Sequence, residues 1–98
     1  MTIRLTANEC KLIVQEDHED YEIIDCIDKG RTGRWHNLIK IIFKDLNTNY
    51  DYKFYYNQAA TEYQEDQYSD SVCRKVVPVQ QDSVVWIEVN EENDYDNN

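Results

Sequence analysis

"WHNLIKIIFKDLNTNYDYKFYY", residues 35–56, holds two alternating runs around a short polar break. In the first run Trp35, Ile39, Ile41 and Phe43 point one way, while His36, Lys40 and Lys44 point the other. That is the period-two pattern of a strand with one buried face. In the second run Tyr50, Tyr52, Phe54 and Tyr56 alternate with Asp51, Lys53 and Tyr55. The break, "NTN" (47–49), suits a tight turn, because Asn tolerates left-handed backbone. The stretch therefore predicts an antiparallel hairpin at the centre of a sheet.

Working outward, "DYEIIDCIDKG" (20–30) predicts a strand with Tyr21, Ile23, Asp25 and Ile27 on one side. Gly30 and Gly33 end it in "KGRTGRW", which lacks the spacing of a phosphate loop and reads as a turn. "SVCRKVVPVQ" (71–80) and "SVVWIEV" (83–89), separated by "QD", predict two further strands. Pro78 cannot donate a ladder hydrogen bond and belongs at an edge or strand end. Near the start, Thr6 and Glu9 make a capping-box pattern, and Ala7, Cys10, Ile13 and Val14 share a helical face. A short helix over about 7–15 follows, with a strand as the competing reading because Ile13 and Val14 are β-branched. The sum is an α+β fold: a short N-terminal helix over a four- or five-stranded, mostly antiparallel sheet in meander order. Residues 1–89 make one domain, and "NEENDYDNN" (90–98) has nothing to bury and reads as a disordered acidic tail.

Composition bounds the function. Ninety-eight residues with 41% hydrophobic content suffice for one small core. No window reaches the roughly 18–20 apolar residues of a membrane span, and no apolar region follows the start as in a signal peptide. The expected location is cytosolic. Cys10, Cys26 and Cys73 are odd in number and widely spaced. They read as buried reduced thiols, with a disulfide or metal site as the alternative. Neither His18 nor His36 pairs with a Cys at ligand spacing, so no metal or cofactor is expected. His36 reads as a surface histidine, and no nucleophile sits in a recognisable elbow, so an enzyme is not expected.

The charge is −10, from 20 acids and 10 bases, and it is segregated. Residues 15–28, 57–70 and 90–98 together hold 15 of the acids and no Lys or Arg. The remaining residues hold five acids and all ten bases, including Lys40, Lys44, Lys53, Arg74 and Lys75, which could form a basic strip across the sheet. Pairing with the protein's own acids is the simpler use of that strip, since the overall charge repels nucleic acid. No acidic segment has the order of residues of a calcium loop. The acidic segments read instead as a contact surface for a basic partner, through Glu16, Asp17, Glu19, Asp20, Glu22 and Asp25 in the first, and Glu62, Tyr63, Glu65, Asp66, Tyr68 and Asp70 in the second. If Thr61 caps a turn, Glu62, Glu65 and Asp66 share a helical face, where they repel one another by a few tenths of a kcal/mol until a basic partner relieves them. Tyrosine adds contact area at low entropic cost. A solvated connector is the competing account of residues 57–70.

"RW" (34–35) before a strand ending "IIF", then "YKFYY" (52–56), "ATEYQED" (60–66) and "CRKVVPVQ…VVWIEV" resembles a group of small uncharacterised bacteriophage proteins. The resemblance covers about residues 34–89. Asn57–Gln58 stand where a Gly often precedes Ala-Thr-Glu, and residues 1–33 have no counterpart. It implies phage origin and a place in the host bacterial cytoplasm. Small acidic phage proteins often inhibit DNA-binding host proteins and defence nucleases, RNA-guided ones included, by stoichiometric binding, some by DNA mimicry. The expected partner is thus a basic bacterial nucleic-acid-binding protein. The alternatives are an assembly protein that dimerises through its aromatic sheet face, or a binder of a small ligand such as a nucleotide signal.

Overall fold

The computed structural model describes residues 1–61, 64–80 and 84–89. Its elements run β1 (Thr2–Leu5), α1 (Ala7–Val14), β2 (Tyr21–Arg31), β3 (His36–Asp45), β4 (Asp51–Ala59), β5 (Ser71–Gln80) and β6 (Val84–Glu88). Strands β2 to β6 pair antiparallel, each with the next, as the meander requires. β1 is additional and pairs antiparallel with β5, giving an α+β fold with a six-stranded sheet. Four residues, "TIRL", are too few to show a period. The N–H of Lys75 donates to the Met1 carbonyl, and the Lys75 carbonyl accepts from the Val89 N–H. Both groups of one residue face the same side of a strand, so β1 and β6 lie end to end along one edge of β5. β4 pairs with β5 only as far as Val76, so Pro78 stands where β5 has a partner on one side alone. The acidic tail and the "QD" turn lie outside the described residues.

The predicted helix forms with its capping box: the Thr6 hydroxyl accepts from the Glu9 N–H, and the Glu9 carboxylate accepts from the Thr6 N–H. Cys10 and Ile13 are its buried residues, and they pack on Ile39, Ile41 and Phe43 of β3 and Tyr52, Phe54 and Tyr56 of β4. The aromatic face of the central hairpin is therefore the core beneath α1. It is not available as a dimer surface.

The opposite face is also buried in part, which the alternation did not foretell. Ile42 and Val76, at 0% and 1% exposure, lie on it, away from the main cluster. The indole Nε1 of Trp86 on β6 donates to Asp25 Oδ2 on β2 at 3.0 Å. In a flat sheet those strands, four spacings apart, would be separated by about 19 Å. The sheet must coil around this face for the contact to exist.

One strand reading needs correction. Ile23 stands opposite Phe43 but Asp25 stands opposite Ile42, so a bulge at Ile24 reverses the sides of β2. Tyr21 and Ile23 face the helix, whereas Asp25 and Ile27 face the other way. The same reversal brings Cys26 to the side of Ile41, yet it stays exposed on this edge strand, while Cys10 and Cys73 are buried as expected. The Asp25 carboxylate accepts from the Cys26 N–H at 2.9 Å, and that of Asp28 from the Gly30 N–H at 2.8 Å. Gly30, at φ 98°, sits at a second register shift. Two donors of this edge strand are thereby satisfied within the strand, which blunts it against pairing with another sheet.

Candidate functional site

The first acidic segment forms one end of the molecule. α1 closes in a Schellman motif, with the Asp17 N–H on the Leu12 carbonyl at 2.8 Å and the Glu16 N–H on that of Ile13 at 3.0 Å. Glu16 accordingly takes φ 62°, a position where glycine is the usual residue. His18 turns the chain: its Nδ1 accepts from the Asp20 N–H at 3.1 Å, and its ring packs 4.8 Å from that of Tyr21. The Leu46 N–H donates to the Asp20 carbonyl at 3.0 Å, tying this turn to the β3–β4 connection. The backbone is thus held at both ends while Glu16, Asp17, Glu19, Asp20 and Glu22 stay exposed. Among the described residues none of these five carboxylates forms an ion pair. Glu22 lies opposite Lys44, but the Lys44 ammonium is drawn 3.0 Å from Asp51 instead. A cleft of about 160 Å³ opens here between Glu16, His18, Tyr21, Glu22, Ile23 and Leu46.

Asp25 belongs elsewhere. It is half-buried and holds the Cys26 amide and the Trp86 indole, so its carboxylate is engaged in the fold.

The second segment is also largely structural where it is described. Asp66 Oδ1 accepts from the Ala59 N–H at 2.7 Å, and Asp70 Oδ1 accepts from the Ala7 N–H at 2.8 Å. Asp70 therefore serves the N-terminus of α1, where a carboxylate complements the helix dipole. The Tyr68 ring stacks on Tyr56 at 4.9 Å and 13° and packs against the core. Burial, then the nearby Asp66 charge, pushes its hydroxyl up to about 12. Gln67 bridges to Asn57, and the chain at Glu65 and Asp66 is not helical. Glu65 and Asp66 therefore share no helical turn, because Asp66 and Gln67 are drawn onto β4. Glu65 remains exposed; its carbonyl oxygen lies 3.0 Å from His36 Nε2, which must carry the proton. Glu62 and Tyr63 lie outside the described residues.

The bases divide as the sequence allows. Lys53 pairs with Glu88, whose other carboxylate oxygen lies 3.7 Å from Arg74. The hydrogen bond from Lys53 holds the Glu88 carboxyl below its usual range. Lys75 leaves the strip: it lies on the helix side of the sheet, with its ammonium 3.9 Å from the Tyr50 ring centroid. A second basic group was not singled out in the sequence. Residues 29–36, the β2–β3 hairpin tip, carry Lys29, Arg31 and Arg34 and no acid. Trp35 on this tip is 45% exposed, with the Arg34 guanidinium 5.1 Å from its ring centroid.

Among the described residues no group of three or more His, Cys, Asp or Glu side chains could hold a metal ion. Among the same residues no helix is long and apolar enough to cross a membrane. Comparison with family models, curated proteins and solved structures found no match.

Proposed function

We propose that this chain is a non-enzymatic binding protein whose acidic end docks on a basic, nucleic-acid-binding surface of a bacterial protein. The supporting observation is the contrast between its carboxylates. Asp25, Asp51, Asp66, Asp70 and Glu88 are engaged within the fold, whereas Glu16, Asp17, Glu19 and Asp20 on an anchored turn and Glu22 at the start of β2 are exposed and form no ion pair among the described residues. Like charges held close together repel, and a basic partner relieves that repulsion while steering accelerates the encounter. The resemblance to small phage proteins supports the host cytoplasm as the place and a host or defence protein, such as an RNA-guided nuclease, as the partner. Glu62 and Tyr63 are further contact candidates on sequence grounds.

The test is retention of a bacterial lysate on the immobilised protein, eluted with rising salt. The reading expects one basic nucleic-acid-binding protein held to moderate salt, displaced by DNA or guide RNA, and lost on charge reversal at Asp17 and Glu19. Retention of nothing, or equal retention by the reversed variant, overturns it.

A further inference from the structure

The sheet face opposite α1 is sealed in one part and open in another. Where Trp86 meets Asp25 it is sealed, with Ile42 and Val76 buried. Elsewhere β4 and β5 part: they pair from Asp51 opposite Val76 to Lys53 opposite Arg74, and no further. A cleft of about 410 Å³ opens where this ladder stops, lined among others by Lys53, Tyr55, Ser69, Val72, Arg74 and Glu88. Ligand sites run from about 300 to 1,000 Å³ and favour the mouths of coiled or closed sheets. Asn57 exchanges both its backbone groups with Gln67 on this side of β4, and Lys75 turns both of its own away from β4. By the strand period the N–H and C=O of Tyr55 and Val72 then point into the gap, where they form no ladder pair.

The cleft is cationic. Lys53, whose side chain is 13% exposed, is fixed on Glu88. Arg74 Nε lies 3.7 Å from the same carboxylate, beyond hydrogen-bond reach, so the guanidinium donors remain available. Lys40 stands opposite Tyr55 and Arg4 opposite Val72 on this face, and among the described residues neither forms an ion pair. Against these four bases stand Glu88 and, beside Arg4, Asp70, whose carboxylate serves the Ala7 amide. Glu22 faces Lys44, four positions along β3 from Lys40 or about 13 Å, beyond the Debye length of about 10 Å at 0.1 M salt. Tyr55 adds a planar ring, 38% exposed, with the Lys53 ammonium 5.4 Å from its centroid.

We infer that this cleft binds a nucleoside monophosphate, with the phosphate held by Arg74 and Lys40 and the base stacked on Tyr55. The volume exceeds what a simple anion fills, and the backbone groups of Tyr55 and Val72 offer donors and acceptors to the neutral part of the ligand. Glu88 repels a longer phosphate chain. The site uses none of the acids proposed to meet a protein partner, so the two readings fail separately.

The experiment is equilibrium dialysis of the full chain at about 0.1 M salt against AMP, GMP, CMP and UMP, with adenosine and inorganic phosphate as the two halves of the ligand. At least one nucleotide should bind once per chain with Kd below about 1 mM, about tenfold or more tighter than either half. Arg74→Gln and Lys40→Gln should each weaken it about tenfold, the loss of one charge-assisted hydrogen bond. Tyr55→Phe should retain binding, and Tyr55→Ala should reduce it to that of inorganic phosphate, each with the circular dichroism of the parent. Lys29→Gln with Arg34→Gln, on the hairpin tip, should change nothing. No nucleotide bound, binding no tighter than inorganic phosphate, an equal loss in the tip variant, or binding of a single-stranded oligonucleotide without the mononucleotides overturns the inference.

Discussion

Replacing Trp86 by Phe tests whether the sheet closes as described. The indole Nε1 donates to a half-buried carboxylate at 3.0 Å, the contact that brings the last strand over the first strand of the meander. A hydrogen bond to a charged group contributes about 1.5–3 kcal/mol when buried, and partial exposure here argues for the lower end. Trp86→Phe should therefore cost about 1.5 kcal/mol, from the lost bond and a carboxylate left with only the Cys26 amide. Asp25→Ala should cost somewhat more, about 2 kcal/mol, since it also strips that amide of its acceptor. The two should not add: a double-mutant cycle should return a coupling of about 1 kcal/mol. In urea unfolding, with a slope near 1 kcal/mol/M for a domain this small, that coupling is about 1 M in midpoint. A coupling below about 0.3 kcal/mol would refute the closure, because residues that do not touch behave additively.

Glu16→Gly should stabilise the protein by up to about 1 kcal/mol in the same assay, since it relieves a side chain held at φ 62°; destabilisation would mean the Glu16 side chain is used. Native protein should liberate one equivalent of aromatic thiolate from an aromatic disulfide reagent, as exposed Cys26 forms the mixed disulfide, with Cys10 and Cys73 reacting only after unfolding; burial pushes Cys73 up to about 12. Glu88 is held below its ordinary value of 4.5 by Lys53, so its stabilising contribution is complete above that value and is lost as pH falls through the lower folded value. Glu88→Gln should therefore flatten the fall in thermal midpoint below pH 4.5, with little change of slope near neutrality. Tyr68 should ionise only near 12, above the ordinary tyrosine value of 10, read by the difference in absorbance at 295 nm between the parent and Tyr68→Phe.

The acidic end and the fold class were legible in the chain because both depend on local pattern. Thr6 and Glu9 meet within one turn, so their capping box could be read directly and is present. The alternation of Ile39, Ile41 and Phe43 with Lys40 and Lys44 needs only the two-residue strand period. Asn49 adopts the left-handed conformation, at φ 66°, that its side chain tolerates.

What tertiary structure alone decided is which charges are spent. Asp70 reaches Ala7 across 63 positions of sequence, and Asp25 reaches Trp86 across 61. No window of sequence contains both partners, so their carboxylates looked as free as those of Glu19 and Asp20. The bulge at Ile24 is set by pairing with β3, and it moved Asp25 and Ile27 to the other face although their spacing in the chain was read correctly. Local chemistry determined where the acids lie and which elements form; the long-range pairing of strands determined which acids are engaged within the fold and which stay exposed.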